Sequence, residues 1–203
     1  GSPVVETQRA DAQGARYPMT IQRADALAAV ATLLQWVGND PADPGTADTP
    51  RRVVDALREM TSGRLIEPRE VLTTQFAGEG YDQMVVLRGV EFQSMCEHHM
   101  LPFTGSATVA YIPAEKVVGI SKLARLVDVF ARRLQIQERM TVQIATALQD
   151  NLSPVGVGVV LRAAHSCMGC RGVRKPDAEL VTSCMLGAMR DKPEARAELM
   201  TLL

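Results

Sequence analysis

Aromatic residues are scarce in this chain: Phe, Trp and Tyr make up 4% of its 203 residues. Binding nucleic acid by base stacking needs aromatics interleaved with basic side chains. The Arg51-Arg52 and Arg132-Arg133 pairs lack them, and the net charge is −1, so nucleic acid is not an expected partner. No apolar run approaches the ~20 residues of a membrane span, and no membrane is expected either. Cysteine is limited to Cys96, Cys167, Cys170 and Cys184. That is too few for a disulfide scaffold and fits reduced thiols or metal ligands. No secretory leader pattern opens the sequence and Gly1-Ser2 reads as an expression scar, so cytoplasmic residence is the expectation. Histidine is rarer still. His98, His99 and His165 are the full set, and each lies within three residues of a cysteine.

What is present is a chain that is 46% hydrophobic, enough for one domain with a real core and a smaller appendage. No internal repeat or low-complexity tract interrupts it. Residues 1–18 read as a flexible arm, 19–80 as an N-terminal helical region, and 81–203 as the domain that carries the chemistry. Ala26, Leu27, Val30, Leu33, Leu34 and Val37 recur at helical spacing. Thr49-Pro50 suits the start of a second helix with Thr49 as its N-cap, and Gly63 its end. After Gly80 the signal changes. Met84–Leu87 and Val90–Phe92 read as short strands. Over Gly105–Ile112, Ala107, Val109 and Tyr111 alternate with Thr108, Ala110 and Ile112. Ser121 reads as an N-cap ahead of an amphipathic helix, and Ile136 to Leu152 as a second one. Val155–Leu161 and Gly172–Thr182 read as strands, and Lys192 to Leu202 as a last helix. Consecutive strands imply antiparallel hairpins and an α+β fold.

Cys96-Glu97-His98-His99 places a thiolate and an imidazole three residues apart, so one turn can supply two ligands to a tetrahedral zinc. His165-Ser166-Cys167-Met168-Gly169-Cys170 offers further soft ligands. Spacing alone leaves two sites open. Cys96, His99, Cys167 and Cys170 make a closed structural Cys₃His site, whereas Cys96, His99 and Cys167 leave a fourth position for water. Buried apolar cysteines are the plain alternative, and for Cys184, beside Met185 and Leu186, the preferred one.

The ordered set Ser94–His99, Gly119–Arg125, Arg133–Arg139, His165–Met168, Arg171–Val173 and Val181–Ser183 resembles the GTP cyclohydrolase I family from about Thr49 to the C-terminus. It does not cover the first twenty residues. The resemblance implies the tunnelling fold: per subunit, a four-stranded antiparallel sheet backed by two helices, closed into a barrel across subunits. A homodecamer of two pentamer rings is implied with it. The implied reaction opens the imidazole ring of GTP by attack of water at C8. It releases formate and, after rearrangement of the ribose, gives 7,8-dihydroneopterin triphosphate, a first step of folate or pterin synthesis.

The resemblance also implies roles. The zinc ligands are Cys96, His99 and Cys167, and Cys170 stands where relatives carry an apolar residue. Apart from the resemblance, the pattern at Val173 favours a strand here, in which Cys170 points away from Cys167. His98 and His165 transfer protons, where the plain reading is that each orients a ligand. Glu138 pairs with guanine N1–H and the 2-amino group, and Gln137 positions His165 or the base. Taken alone, Glu138 is a helix-start carboxylate favoured by the dipole. Ser121, Lys122, Arg125, Arg171 and Arg52 are implied triphosphate contacts; Lys122 and Arg125 share one helix face near its start. Two other functions stay in view: a non-catalytic protein with a structural Cys₃His zinc, and a related enzyme acting on another purine nucleotide.

Overall fold

The computed structural model describes residues 21–40 and 42–203; the flexible arm expected over 1–18 lies outside them. The chain divides into two compact units, the first ending at Thr61 and the second running from Ser62 to Leu203. The first unit contains α1 (Arg23–Trp36) and α2 (Thr49–Met60), packed on each other. Arg23 and Asp55 pair across them at 2.6 Å. The cap of α2 is Asp48 rather than Thr49, which is already helical, and Pro50 occupies the first turn. Two helices bury one seam only, so Leu33 and Val37 of the expected apolar stripe remain exposed in the single chain.

The second unit opens with a 3₁₀ turn at Ser62–Leu65 and α3 (Pro68–Val71). Then come β1 (Gln75–Ala77), β2 (Val85–Cys96), β3 (Pro102–Ile112), β4 (Lys116–Val118), α4 (Ile120–Ala131), β5 (Leu134–Gln135) and α5 (Gln137–Leu152). The unit ends with β6 (Gly156–His165), α6 (Ser166–Gly169), β7 (Glu179–Gly187), α7 (Ala188–Asp191) and α8 (Pro193–Thr201). The main sheet has the order β5-β2-β3-β6-β7, and β1 pairs separately with β4. Strands β2, β3, β6 and β7 form the antiparallel part; β5 adds a two-residue parallel contact.

Several boundaries differ from the sequence expectation. The two short strands before Phe92 are one strand, because Gly89, at φ +70°, takes up a bulge between Leu87 and Val90. Gly119 is the N-cap of α4, and Ser121 lies inside its first turn. The strand expected over Gly172–Thr182 begins only at Glu179. Ser166–Gly169 turns as a helix, and the stretch from Arg171 to Ala178 is exposed, with Gly172 and Arg174 at positive φ.

The alternation of β3 sets the layers. Ala107, Val109 and Tyr111 enter the core that β2 and β6 share with α4 and α5, where Leu126, Ile144, Leu148 and Leu161 are fully buried. Ala110 faces the other way, onto Met189 and Leu199 beside Ile112. Each fully buried aliphatic side chain contributes about 1.5–3 kcal/mol. Gly105 keeps β3 tight on β6: a Cβ there would stand 1.8 Å from the Arg162 carbonyl oxygen. Among the described residues, no helix is long and apolar enough to cross a membrane.

Candidate active site

The sheet gathers the site at one end. Strand β3 runs antiparallel to both β2 and β6, so those two strands end on the same side. β2 finishes at Cys96, and the tight turn to β3 carries His98 and His99. It is closed by Met100 N–H donating to the Cys96 carbonyl at 2.8 Å. β6 finishes at His165 and turns into α6, which places Cys167 in its first turn. Phe103 is registered against Ser94 on one side and His165 on the other. The pairing of Cys96 with Gln135 brings the start of α5 to the same place.

The thiol and imidazole atoms of Cys96, His99 and Cys167 lie within 4.8 Å of one another. Cys96 Sγ is 3.8 Å from His99 Nδ1. Zinc bonds of about 2.3 Å to sulfur and 2.0 Å to nitrogen put tetrahedral ligand atoms roughly 3.5–4 Å apart, so the group fits a metal ion with little movement. His98 Nδ1 is 3.9 Å from the same sulfur, but His98 is not in the three-membered group. Cys170 is also outside it. Cys170 is exposed and caps α6, donating its N–H to the Ser166 carbonyl. A helical turn therefore keeps it apart, not the strand expected from the sequence. Burial pushes the Cys167 thiol up, and the neighbouring Cys96 adds to the rise. Cys184 packs against the core, and burial raises its thiol as well.

His165 is held by two contacts. Its ring stacks on Phe103, centroids 4.5 Å apart and planes 5° from parallel. Its Nε2 is 2.9 Å from Gln137 Oε1. Burial lowers its pKa below the ordinary 6.5, while the nearby Glu138 carboxylate works in the opposite direction. Glu138 is exposed in the first turn of α5, next to the buried Gln137.

An ion pair without an assigned role from sequence joins the metal turn to α5. Arg139 grips the Glu97 carboxylate through both terminal nitrogens and also donates to Gln135 Oε1 at 3.2 Å. The Arg139 hydrogen bond lowers the Glu97 pKa. Arg139, in the first turn of α5, stands four residues after Gln135 of β5, but its ion-pair partner is 42 residues away, and no local pattern signals that.

Of the expected cationic contacts, Lys122 and Arg125 sit in the first turns of α4, half-buried and exposed respectively, with Ser121 exposed beside them. Arg171 is exposed just after α6. Arg52 is in the first unit, ion-paired with Asp48 at 3.4 Å. Arg133 serves the fold: its guanidinium lies over the Phe130 ring and donates to the carbonyls of Val129 and Gly63.

Comparison with known proteins adds an independent line. The family model described as GTP cyclohydrolase I matches residues 26–203. A protein named GTP cyclohydrolase 1 from Synechococcus sp. (strain JA-2-3B'a(2-13)) is 51% identical over 177 residues, 87% of this chain and 77% of that protein. One of the same name from Synechococcus sp. (strain JA-3-3Ab) is 50% identical with the same coverage. Another of that name, from Gloeobacter violaceus (strain ATCC 29082 / PCC 7421), is 50% identical over 86% of this chain and 82% of its own length.

Proposed function

The chain belongs to the GTP cyclohydrolase I family, and from that premise we propose that it hydrolyses GTP to formate and 7,8-dihydroneopterin triphosphate through the site at Cys96, His99, Cys167 and His165. The observation that carries this reading is the gathering of two thiols and one imidazole within 4.8 Å, at the strand end that also carries His165. Cys96, His99 and Cys167 would hold a zinc ion, which would supply a nucleophilic water active near neutral pH for attack at C8 of guanine.

The chain's own residues do the rest. His165, kept partly out of water and stacked on Phe103, exchanges protons with the imidazole nitrogens of the base as the ring opens, and His98 is the second proton carrier. Glu138 accepts hydrogen bonds from guanine N1–H and the 2-amino group. Adenine does not offer those two donors side by side, so the carboxylate selects guanine. Lys122 and Arg125, three residues apart at the start of α4, hold the triphosphate with Ser121 and Arg171, helped by the helix N-terminus. Cys170 takes no part in holding the metal.

The sheet edge supports an assembly of several copies. Among the described residues, β7 pairs with β6 along one side only, and Leu180 and Val181 on it are exposed. An open edge of this kind is satisfied by pairing with another copy, which supports a ring-shaped homo-oligomer, two stacked pentamers in the implied form.

The test is to supply the purified protein with zinc and GTP and to follow formate and pterin fluorescence together. Equimolar formate and pterin are expected. Tightly held zinc with no formate would instead mean a structural metal, and formate without pterin an enzyme that stops early.

A further inference from the structure

We propose that Thr141 and Thr182 are positioning residues: acting through Gln137, they hold His165 in the tautomer with hydrogen on Nε2 and leave Nδ1 as its free nitrogen. The catalytic meaning of this rests on the function proposed above; the tautomer itself does not.

The argument starts from a hydroxyl. Thr141 Oγ1 donates to the carbonyl of Gln137, one turn back on α5, at 2.7 Å. Its single hydrogen is thereby used. Thr141 Oγ1 and Thr182 Oγ1 are also 2.7 Å apart, so Thr182 must be the donor in that pair. The Thr182 hydrogen is then used as well, and toward its other neighbour Thr182 can only accept. That neighbour is the Gln137 side chain, with Nε2 at 3.1 Å.

The same Gln137 nitrogen faces the carbonyls of Leu161 at 3.2 Å and Leu180 at 2.9 Å. Three acceptors converge on one end of the amide. Turning the amide over would set its oxygen against two carbonyls and a hydroxyl that has no hydrogen to give. Gln137 and Thr141 are each 1% exposed, and an unpaired buried polar group costs about 1–3 kcal/mol, so the reversed amide is excluded. Its oxygen must face His165, 2.9 Å from Nε2. An oxygen can only accept, so Nε2 carries the hydrogen and the neutral ring has its lone pair on Nδ1. The Phe103 stack fixes the ring plane and the Gln137 bond fixes its rotation within that plane. Thr182 is on β7, 41 residues from Thr141 and 17 from His165, and nothing in its local sequence marks it.

The test uses the zinc-loaded enzyme with histidine labelled by ¹⁵N. Only three histidines are present, which makes assignment tractable. In the wild type His165 is expected to show a protonated-type Nε2 and a bare-type Nδ1; the opposite pattern overturns the proposal. Thr182→Val keeps the shape but leaves the Gln137 amide nitrogen with two of its three acceptors, the Leu161 and Leu180 carbonyls, so the amide is held less firmly and the His165 tautomers should begin to mix. kcat should fall about tenfold or more, with KM for GTP within about twofold and zinc content unchanged, the size usual for residues that orient a site from behind. Thr182→Ser keeps the hydroxyl and should restore both tautomer and kcat. Thr182→Val with wild-type tautomer and kcat, or Thr182→Ser failing in the same way as Thr182→Val, overturns the proposal. If Thr182→Val does not fold, Thr141→Val takes its place with the same expectations. A wild type that makes no formate from GTP sinks the proposed function instead, and the ¹⁵N spectra still decide the tautomer.

Discussion

The ring of Phe103 lies flat on that of His165, centroids 4.5 Å apart and planes 5° from parallel. The two residues are register partners on β3 and β6, so the sheet itself presses them together. Phe103 is 1% exposed. Replacing it by Leu should cost about 1–2 kcal/mol of stability from lost contact and a small void, and should lower kcat by loosening the histidine. Thermal melting and steady-state rates check this; a variant as active and stable as the wild type would contradict it.

The lowered pKa of His165 has a pH consequence. Burial makes the folded chain bind this proton less readily than the unfolded chain does. Above the ordinary 6.5 neither state holds it and the group has no effect. As pH falls through that value the unfolded chain is protonated first, so stability declines until the lower folded value is passed. Melting curves of wild type and His165→Gln, in metal-free protein, should therefore diverge in their slope only on the acid side of neutrality.

Metal loading should also rise with pH. The Cys167 thiol is raised by burial and by Cys96, so it stays protonated at neutral pH until a metal displaces the hydrogen. Each thiol deprotonated on binding adds about a factor of ten in zinc affinity per pH unit below its pKa. A chelator competition across about pH 6 to 8 should show affinity climbing with pH, and a flat profile would rule this out.

The ligand set separates two cysteines. Cys96→Ser should lose zinc and turnover together, since a hydroxyl replaces a thiolate poorly. Cys170→Ala, at an exposed position outside the metal group, should keep both. Zinc analysis of the two variants decides; loss of zinc from Cys170→Ala would point to a closed structural site.

Glu138→Gln turns one accepting oxygen into a donor facing guanine's own donors. Transition-state binding should weaken by ~3 kcal/mol or more, read as a fall in kcat/KM for GTP at unchanged zinc content. An unchanged kcat/KM removes Glu138 from the site.

Much of this was legible in the linear sequence because local spacing carries the period of local structure. The alternation along β3, the helical stripes of α4 and α5, and the Cys96-to-His99 spacing each involve neighbours a few residues apart, whose geometry the backbone period dictates. Cap positions were read one or two residues late, at Thr49 and Ser121, because a cap is defined by φ and ψ and not by residue type alone. Two strands merged into one because the positive φ of Gly89 absorbs the extra residue that looks like a break. What tertiary structure alone decided involves residues far apart in the chain. Whether Cys167 or Cys170 faces Cys96 depends on β6 ending in a helical turn. The bonds of Gln137 to His165 and Thr182, and of Arg139 to Glu97, span 28 to 45 residues. Such contacts depend on strand register, and register is set by the burial of whole faces of the sheet, which no short stretch of sequence contains.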